Sequence, residues 1–162
     1  MSSLDTFRQA LVQLLLCAIF SLTSLTATAA EDPVVTTKVK GNFHEVANNI
    51  RMAIIGKGIN IAHELPASDM LNRTGQAYGY TTTTYDRART FEFCSARISH
   101  KLARQNPDNI VLCPFTISVY TLTSEPEYVR LSFRKPTGRP GSEAIVEEVI
   151  ELISSIIEDA TW

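Results

Sequence analysis

Two apolar periods alternate along this chain, and their order restricts what it can fold into. Between residues 110 and 121, Cys113, Phe115, Ile117 and Val119 recur at every second position. After a Ser124-Glu125-Pro126 turn, Val129, Leu131 and Phe133 repeat that spacing. A period of two places each set on one face of a strand. Residues 86–94 alternate too, with Arg87, Arg89, Phe91 and Phe93 on one side and Ala88, Thr90, Glu92 and Cys94 on the other. Interleaved with these strands are helical stripes: Phe43, Val46, Ala47, Ile50 and Ile54; then Ile98, Leu102 and Ala103; then Ile145, Val146, Val149, Ile153, Ile156 and Ile157. A strand with one polar face needs cover only on the other, and a helix with one apolar stripe supplies it. The expected fold is α+β: a two-layer sandwich, a mostly antiparallel sheet with helices on one face.

Local signals place the boundaries. Pro33 and Gly41 bracket a strand over 34–40, and Asn42 caps the helix that follows, with Glu45 as capping-box partner. Gly56 and Gly58 stop that helix, 59–65 reads as a second strand, and Pro66 to Arg73 as short helical turns. Residues 74–84, rich in Gly, Thr and Tyr, form a long loop or a loop leading into an edge strand. Ser95 caps the next helix, which ends at Asn106-Pro107, and Pro114 has to sit at a strand start or on an edge. Residues 135–141 are a loop and Ser142 caps the last helix. Glu158 and Asp159 carry the wrong sign for a helix C-terminus, so its end is expected to fray. Residues 34–159 make one domain.

Residues 10–30 contain no charged side chain. Arg8 precedes an apolar run from Ala10 to Leu25, and the small residues Ala27-Thr28-Ala29 close it. That layout is a secretory signal peptide over residues 1–29, cleaved after Ala29 or Ala30. Gln13, Ser21, Thr23 and Ser24 leave the run marginal for a membrane span, so no stable span is expected after cleavage. Cys17 follows Leu16, not the small residue an acylation site requires. Removing Arg8 and Asp5 from the totals of 15 basic and 17 acidic residues leaves 14 and 16, a net charge of −2. No basic excess marks a nucleic-acid binder. Apolar residues at 44% and charged residues at 20% exclude a disordered chain and a disulfide knot.

Several segments, taken in order, are similar to one family: Phe43–Gly58, Leu71-Asn72-Arg73-Thr74, Phe93-Cys94-Ser95-Ala96, Asn106-Pro107 and Cys113–Tyr120. They resemble the domain of unknown function 302 family over roughly residues 34–157, in an exported, cysteine-containing subgroup. The resemblance implies a compact α+β domain, often exported in bacteria, hence a periplasmic location and a homodimer. It implies no established activity.

Cys94 and Cys113 are the first candidate site. In an exported protein a strand–helix–strand unit can bring them together as a disulfide, closing a loop of about 20 residues. Two separate buried thiols, or a reactive or metal-binding pair, are the alternatives, because Cys94 alternates away from the core face that Cys113 shares. A thiolate at Cys94, just before a helix N-terminus, would be a good nucleophile or soft ligand. His100 is a further ligand or base candidate, although Cys94, His100 and Cys113 match no zinc spacing. Non-covalent haem or copper stays open on ligand type alone.

The remaining candidates each carry a plainer reading. His44 is a helix-start residue. His63 is a polar strand-end residue or a cleft ligand, and Glu92 a strand carboxylate with acid/base potential. Arg97, Lys101 and Arg104, with Arg87 and Arg89, form an anion site or a solvated basic face. Tyr78, Tyr80 and the threonines 81–84 make an exposed loop or the wall of a binding cleft. No phosphate loop, nucleophile elbow or zincin motif occurs. The expected function is an exported domain that binds a small molecule, a haem or metal, or a periplasmic redox partner, and is not itself an enzyme. A thiol-dependent enzyme or sulfur carrier, using Cys94 with Cys113 as resolving thiol, is the second expectation. A structural dimerisation module is the third.

Overall fold

The computed structural model describes residues 32–162, so the expected leader over 1–29 lies outside the described residues. The elements run β1 (Val34–Lys40), α1 (Phe43–Gly56), β2 (Ile61–Leu65), α2 (Ala67–Thr74), β3 (Tyr85–Phe93), α3 (Ala96–Gln105), β4 (Phe115–Leu122), β5 (Glu125–Arg134) and α4 (Glu143–Thr161). Short 3-10 turns follow α2 at Gly75–Tyr78 and α3 at Pro107–Leu112. Asn42 caps α1 through its side-chain oxygen, which accepts from the His44 and Glu45 amides. Ser95 caps α3 by accepting from the Ile98 amide.

The five strands form one antiparallel sheet in the order β1-β5-β4-β3-β2. Burial follows the expected alternation. Phe91, Phe93, Ile117, Val119, Val129 and Leu131 are fully buried on one face, where they join Ile50 and Ile54 of α1, Ile98 and Leu102 of α3, and Val149, Ile153 and Ile156 of α4. α1 and α3 both pack on α4. Each such buried side chain contributes about 1.5–3 kcal/mol, against ~0–1 kcal/mol for an exposed ion pair, so this single cluster dominates stability. The chain is therefore the expected α+β fold, with α1, α3 and α4 on one face of an antiparallel sheet.

Four local expectations are corrected. The strand expected from residue 110 starts at Phe115, because Pro107 opens a 3-10 turn that the Asn106 side chain caps at the Asp108 amide. Cys113 therefore precedes the strand, joined through a cis peptide to Pro114. β3, which follows the Thr-rich loop, is not an edge strand; it lies between β2 and β4. Ser142 does not cap α4 with its side chain: its hydroxyl is buried and accepts from Asn109 Nδ2 at 2.8 Å. Instead the Glu143 carboxylate takes the Gly141 amide at 3.1 Å, and the backbone N–H groups of Glu143 and Gly141 hold that carboxyl below its usual range. Finally, α4 runs to Thr161 without fraying. Asp159 pairs with Lys57 at 2.7 Å, Asn49 donates to the Ala160 carbonyl, and Ala160 is buried. These tertiary contacts outweigh the unfavourable dipole.

Candidate functional site

A cleft lies where β2 has ended and α2 continues alongside β3. Ser68 anchors α2 there, donating to the Ala88 carbonyl. The chain then turns through Gly75–Tyr78 and reverses at Gly79, whose φ of +82° favours glycine. The Tyr80 amide closes the turn on the Gly75 carbonyl at 3.0 Å. Thr81 to Thr84 run back to β3 and are tied to the β4–β5 hairpin, where Thr123 Oγ1 donates to the Thr83 carbonyl at 2.8 Å and the Thr123 amide to the Thr84 carbonyl at 3.1 Å. The space between is a cleft of about 370 Å3, lined by Leu71, Asn72, Gly75, Gln76, Tyr80, the four threonines and Tyr85. The threonines also line a shallower recess of about 470 Å3 with Leu122, Thr123 and Ser124.

Among the described residues, no acidic or basic side chain lines this cleft. Its polar groups are two carboxamides, four hydroxyls and two phenols, and Tyr80 leaves 71% of its surface exposed at the mouth. Of the loop aromatics read from the sequence, Tyr80 lines the cleft; Tyr78 points elsewhere, 76% exposed. Asn72, Gln76 and Tyr85 were not singled out. The four-residue step from Asn72 to Gln76 is the signal that could have found two of them, since it places both on one side of a helical turn.

The cysteines sit at the far end of β3. Cys94 and Cys113 stand at disulfide distance with Cα atoms 5.8 Å apart, each half-buried. The turn into α3 re-aims Cys94, and the 3-10 segment brings Cys113 to it. His100 is exposed on α3. Among the described residues no three His, Cys, Asp or Glu side chains gather as a metal-ligand set. As a bonded pair, Cys94 and Cys113 would present no free thiolate to a soft metal.

Two of the three cations of the basic stripe are paired. Arg97 and Lys101 both reach Glu148 of α4, at 2.9 and 2.7 Å, and together they hold its carboxyl low, Lys101 most strongly. Arg89 lies at 3.3 Å from Glu64, while Arg87 stays at the exposed end of β3 near Asp86. The five cations thus do not converge. Glu64 instead gathers Arg51, which bonds it bidentately at 2.7 Å through both Nε and Nη2. These bonds, with the Arg89 charge, hold the Glu64 carboxyl below its ordinary range.

His63 and Glu92 are cross-strand neighbours on the sheet face that α1, α3 and α4 do not cover. That face carries a hydroxyl row across four strands, Thr36, Ser132, Ser118 and Thr90, in mutual register. Thr36 bonds Ser132 and Thr90 bonds Ser118, both at 2.8 Å, and Tyr120 adds a contact to Ser132 at 3.2 Å. Beside it Lys38 and Arg130 share Glu125, and Lys38 lies 4.0 Å above the Tyr128 ring. His44 is exposed at the start of α1, edge-on to Phe43.

No curated protein matches the chain. Among solved structures, the crystal structure of an uncharacterized conserved protein DUF302 from Bacillus stearothermophilus is similar, with a TM-score of 0.66 at 15% identity. The match covers 80% of this chain and 98% of that one, a likeness of fold. The family described as "Domain of unknown function DUF302" matches residues 35–160, which takes in the whole sheet and α4 apart from the first residue of β1 and the last of α4. On that match the chain belongs to the DUF302 family.

Proposed function

We propose that this domain binds a small, neutral, polyhydroxylated molecule in the cleft between α2 and the Thr81–Thr84 segment. The observation that carries the reading is the lining: hydroxyls, carboxamides and tyrosine rings with no ionised side chain, around about 370 Å3. A charged ligand would lose hydration there without a counter-charge. A polyol finds donors and acceptors on Asn72, Gln76 and the threonines, and an apolar ring face on Tyr80. The cleft is held open by backbone bonds that do not depend on a ligand, as pre-formed sites are. The apolar leader and the paired cysteines support an exported, oxidising setting for this binding.

The test is a chemical-shift titration of the protein with maltose and myo-inositol, and with glucose 6-phosphate as the charged comparison. Saturable shifts confined to residues 71–85 are expected with a neutral polyol, and Tyr80→Ala should weaken them about tenfold. Shifts that favour the phosphate, or none at ~10 mM neutral polyol, where a Kd of that size is already only a few kcal/mol, would refute the reading.

A further inference from the structure

We infer that the ligand of the cleft is a linear chain of neutral sugar rings, which continues over the Thr82–Thr84 segment into the recess beside the β4–β5 turn. The inference rests on the polyol reading of the cleft and adds a second subsite to it. Thr82, Thr83 and Thr84 line both hollows, so the two flank one short stretch of chain. Their floors adjoin as well. Tyr85 of the cleft and Leu122 of the recess are cross-strand partners on β3 and β4. Neighbouring strands lie about 4.8 Å apart, close to the step between successive rings of a glycan. One ring of a chain can therefore rest in the cleft while the next rests in the recess. A mono- or disaccharide is housed by the cleft alone; a longer chain fills both.

The chemistry of the recess repeats that of the cleft. Apart from Leu122 its lining is hydroxyl-bearing, Thr82, Thr83, Thr84, Thr123 and Ser124, and among the described residues no ionised side chain lines it. Thr123 fixes the wall between the hollows by donating to the Thr83 and Thr84 carbonyls. The hydroxyls of Thr82, Thr84 and Ser124 are left without a hydrogen bond to any described residue. Two of these stand on the shared wall and one in the recess alone. Each can donate and accept, as a sugar hydroxyl does, so each can match one. The aromatic side is equally set in advance. Tyr120 packs edge-on to Tyr85 with ring centroids 5.5 Å apart, which fixes the Tyr85 ring without a ligand. The shallowness of the recess favours a chain over a free small molecule. A molecule resting there by itself would keep most of its surface in water and would lose its own freedom of motion. A ring tethered to one already held in the cleft adds its contacts without a second association cost.

Chemical-shift titrations with maltose, maltotriose and maltotetraose test the extension. Maltose is expected to move residues 71–85 alone. Maltotetraose should move 71–85 together with 122–124, with a Kd about tenfold lower, the yield of one or two neutral hydrogen bonds. Ser124→Ala should bring the ratio of the maltose to the maltotetraose Kd down from about ten to about three. A Kd that stays flat across the series, with shifts confined to 71–85, would overturn the second subsite and leave the cleft reading standing. A gain with length that brings no shift at 122–124, or that Ser124→Ala does not reduce, would overturn the route through the recess. No saturable shift with any of the three sugars would overturn the cleft reading and this inference with it.

Discussion

Replacing both Cys94 and Cys113 with serine removes a cross-link between residues 19 apart in sequence. Both positions are half-buried, so each new hydroxyl can still reach water, and the folded state loses little packing. The effect falls on the unfolded chain, which regains the freedom of a loop of about 20 residues, worth about 3 kcal/mol in the chain-entropy description. Unfolding entropy near 2.1 cal/mol/K per residue, applied to residues 32–162, converts this into a fall in Tm of about 10 °C. The assay is calorimetric melting of three samples: oxidised protein, reduced and alkylated protein, and the Cys94→Ser/Cys113→Ser variant. Intact mass before each run fixes the number of free thiols. Both the reduced sample and the variant should melt about 10 °C below the oxidised protein. A shift under ~3 °C, with the oxidised sample showing no free thiol, would refute the reasoning: the pair would then not act as a staple, and the reactive-thiol reading of Cys94 would regain its force.

Two further outcomes follow from contacts at the ends of the core. Glu64 has its carboxyl lowered from an ordinary 4.5 by Arg51 and Arg89, so the stabilisation it gives is fully present above that value and drains away as pH falls through the folded pKa. Urea unfolding should show the wild type losing stability from pH 5 to pH 3 more steeply than Glu64→Gln, with the variant about 1 kcal/mol weaker at pH 7; parallel profiles would remove Glu64 as a contributor. At Gly138, a Cβ would stand 2.9 Å from both Ser142 Cβ and Val146 Cγ2, so Gly138→Ala should cost about 1–3 kcal/mol in the same assay, and an unchanged midpoint would show that the loop yields freely.

The core face of every long strand and the buried stripe of every long helix were legible from spacing, because a period of two or of 3.6 sorts residues by side before any contact is known. β4 was misplaced at its start for a physical reason: Val111 and Cys113 continue the alternating apolar pattern of Phe115, yet Pro107 and the Asn106 cap commit residues 107–112 to a 3-10 turn, leaving Ile110 and Val111 exposed. Ser142 looked like a cap by position; its hydroxyl went to a buried carboxamide that sequence spacing could not associate with it. The fate of the cations was hidden in the same way. Arg97 and Lys101 meet Glu148 across 51 and 47 residues, and Arg89 meets Glu64 across 25, so three of the cations that read as open to anions are turned onto carboxylates of the same chain. Of the cleft, only the Tyr80 and threonine side was visible, since its other wall belongs to a turn that alternation does not mark.

Asn109 lies buried at the junction of three segments. Its Nδ2 reaches the Leu102 carbonyl, closing the last turn of α3, and also the Ser142 hydroxyl at the head of α4; its Oδ1 accepts from the Arg139 amide. A single carboxamide thus holds the turn that carries Cys113, the Pro- and Gly-rich loop and the longest helix in one arrangement. Moving any one of them away leaves the buried carboxamide with an unpaired donor or acceptor. The segments before Cys113 and before α4, far apart in the chain, therefore belong to the same cooperative opening unit, and a fluctuation that starts in the loop ends at the cysteine pair.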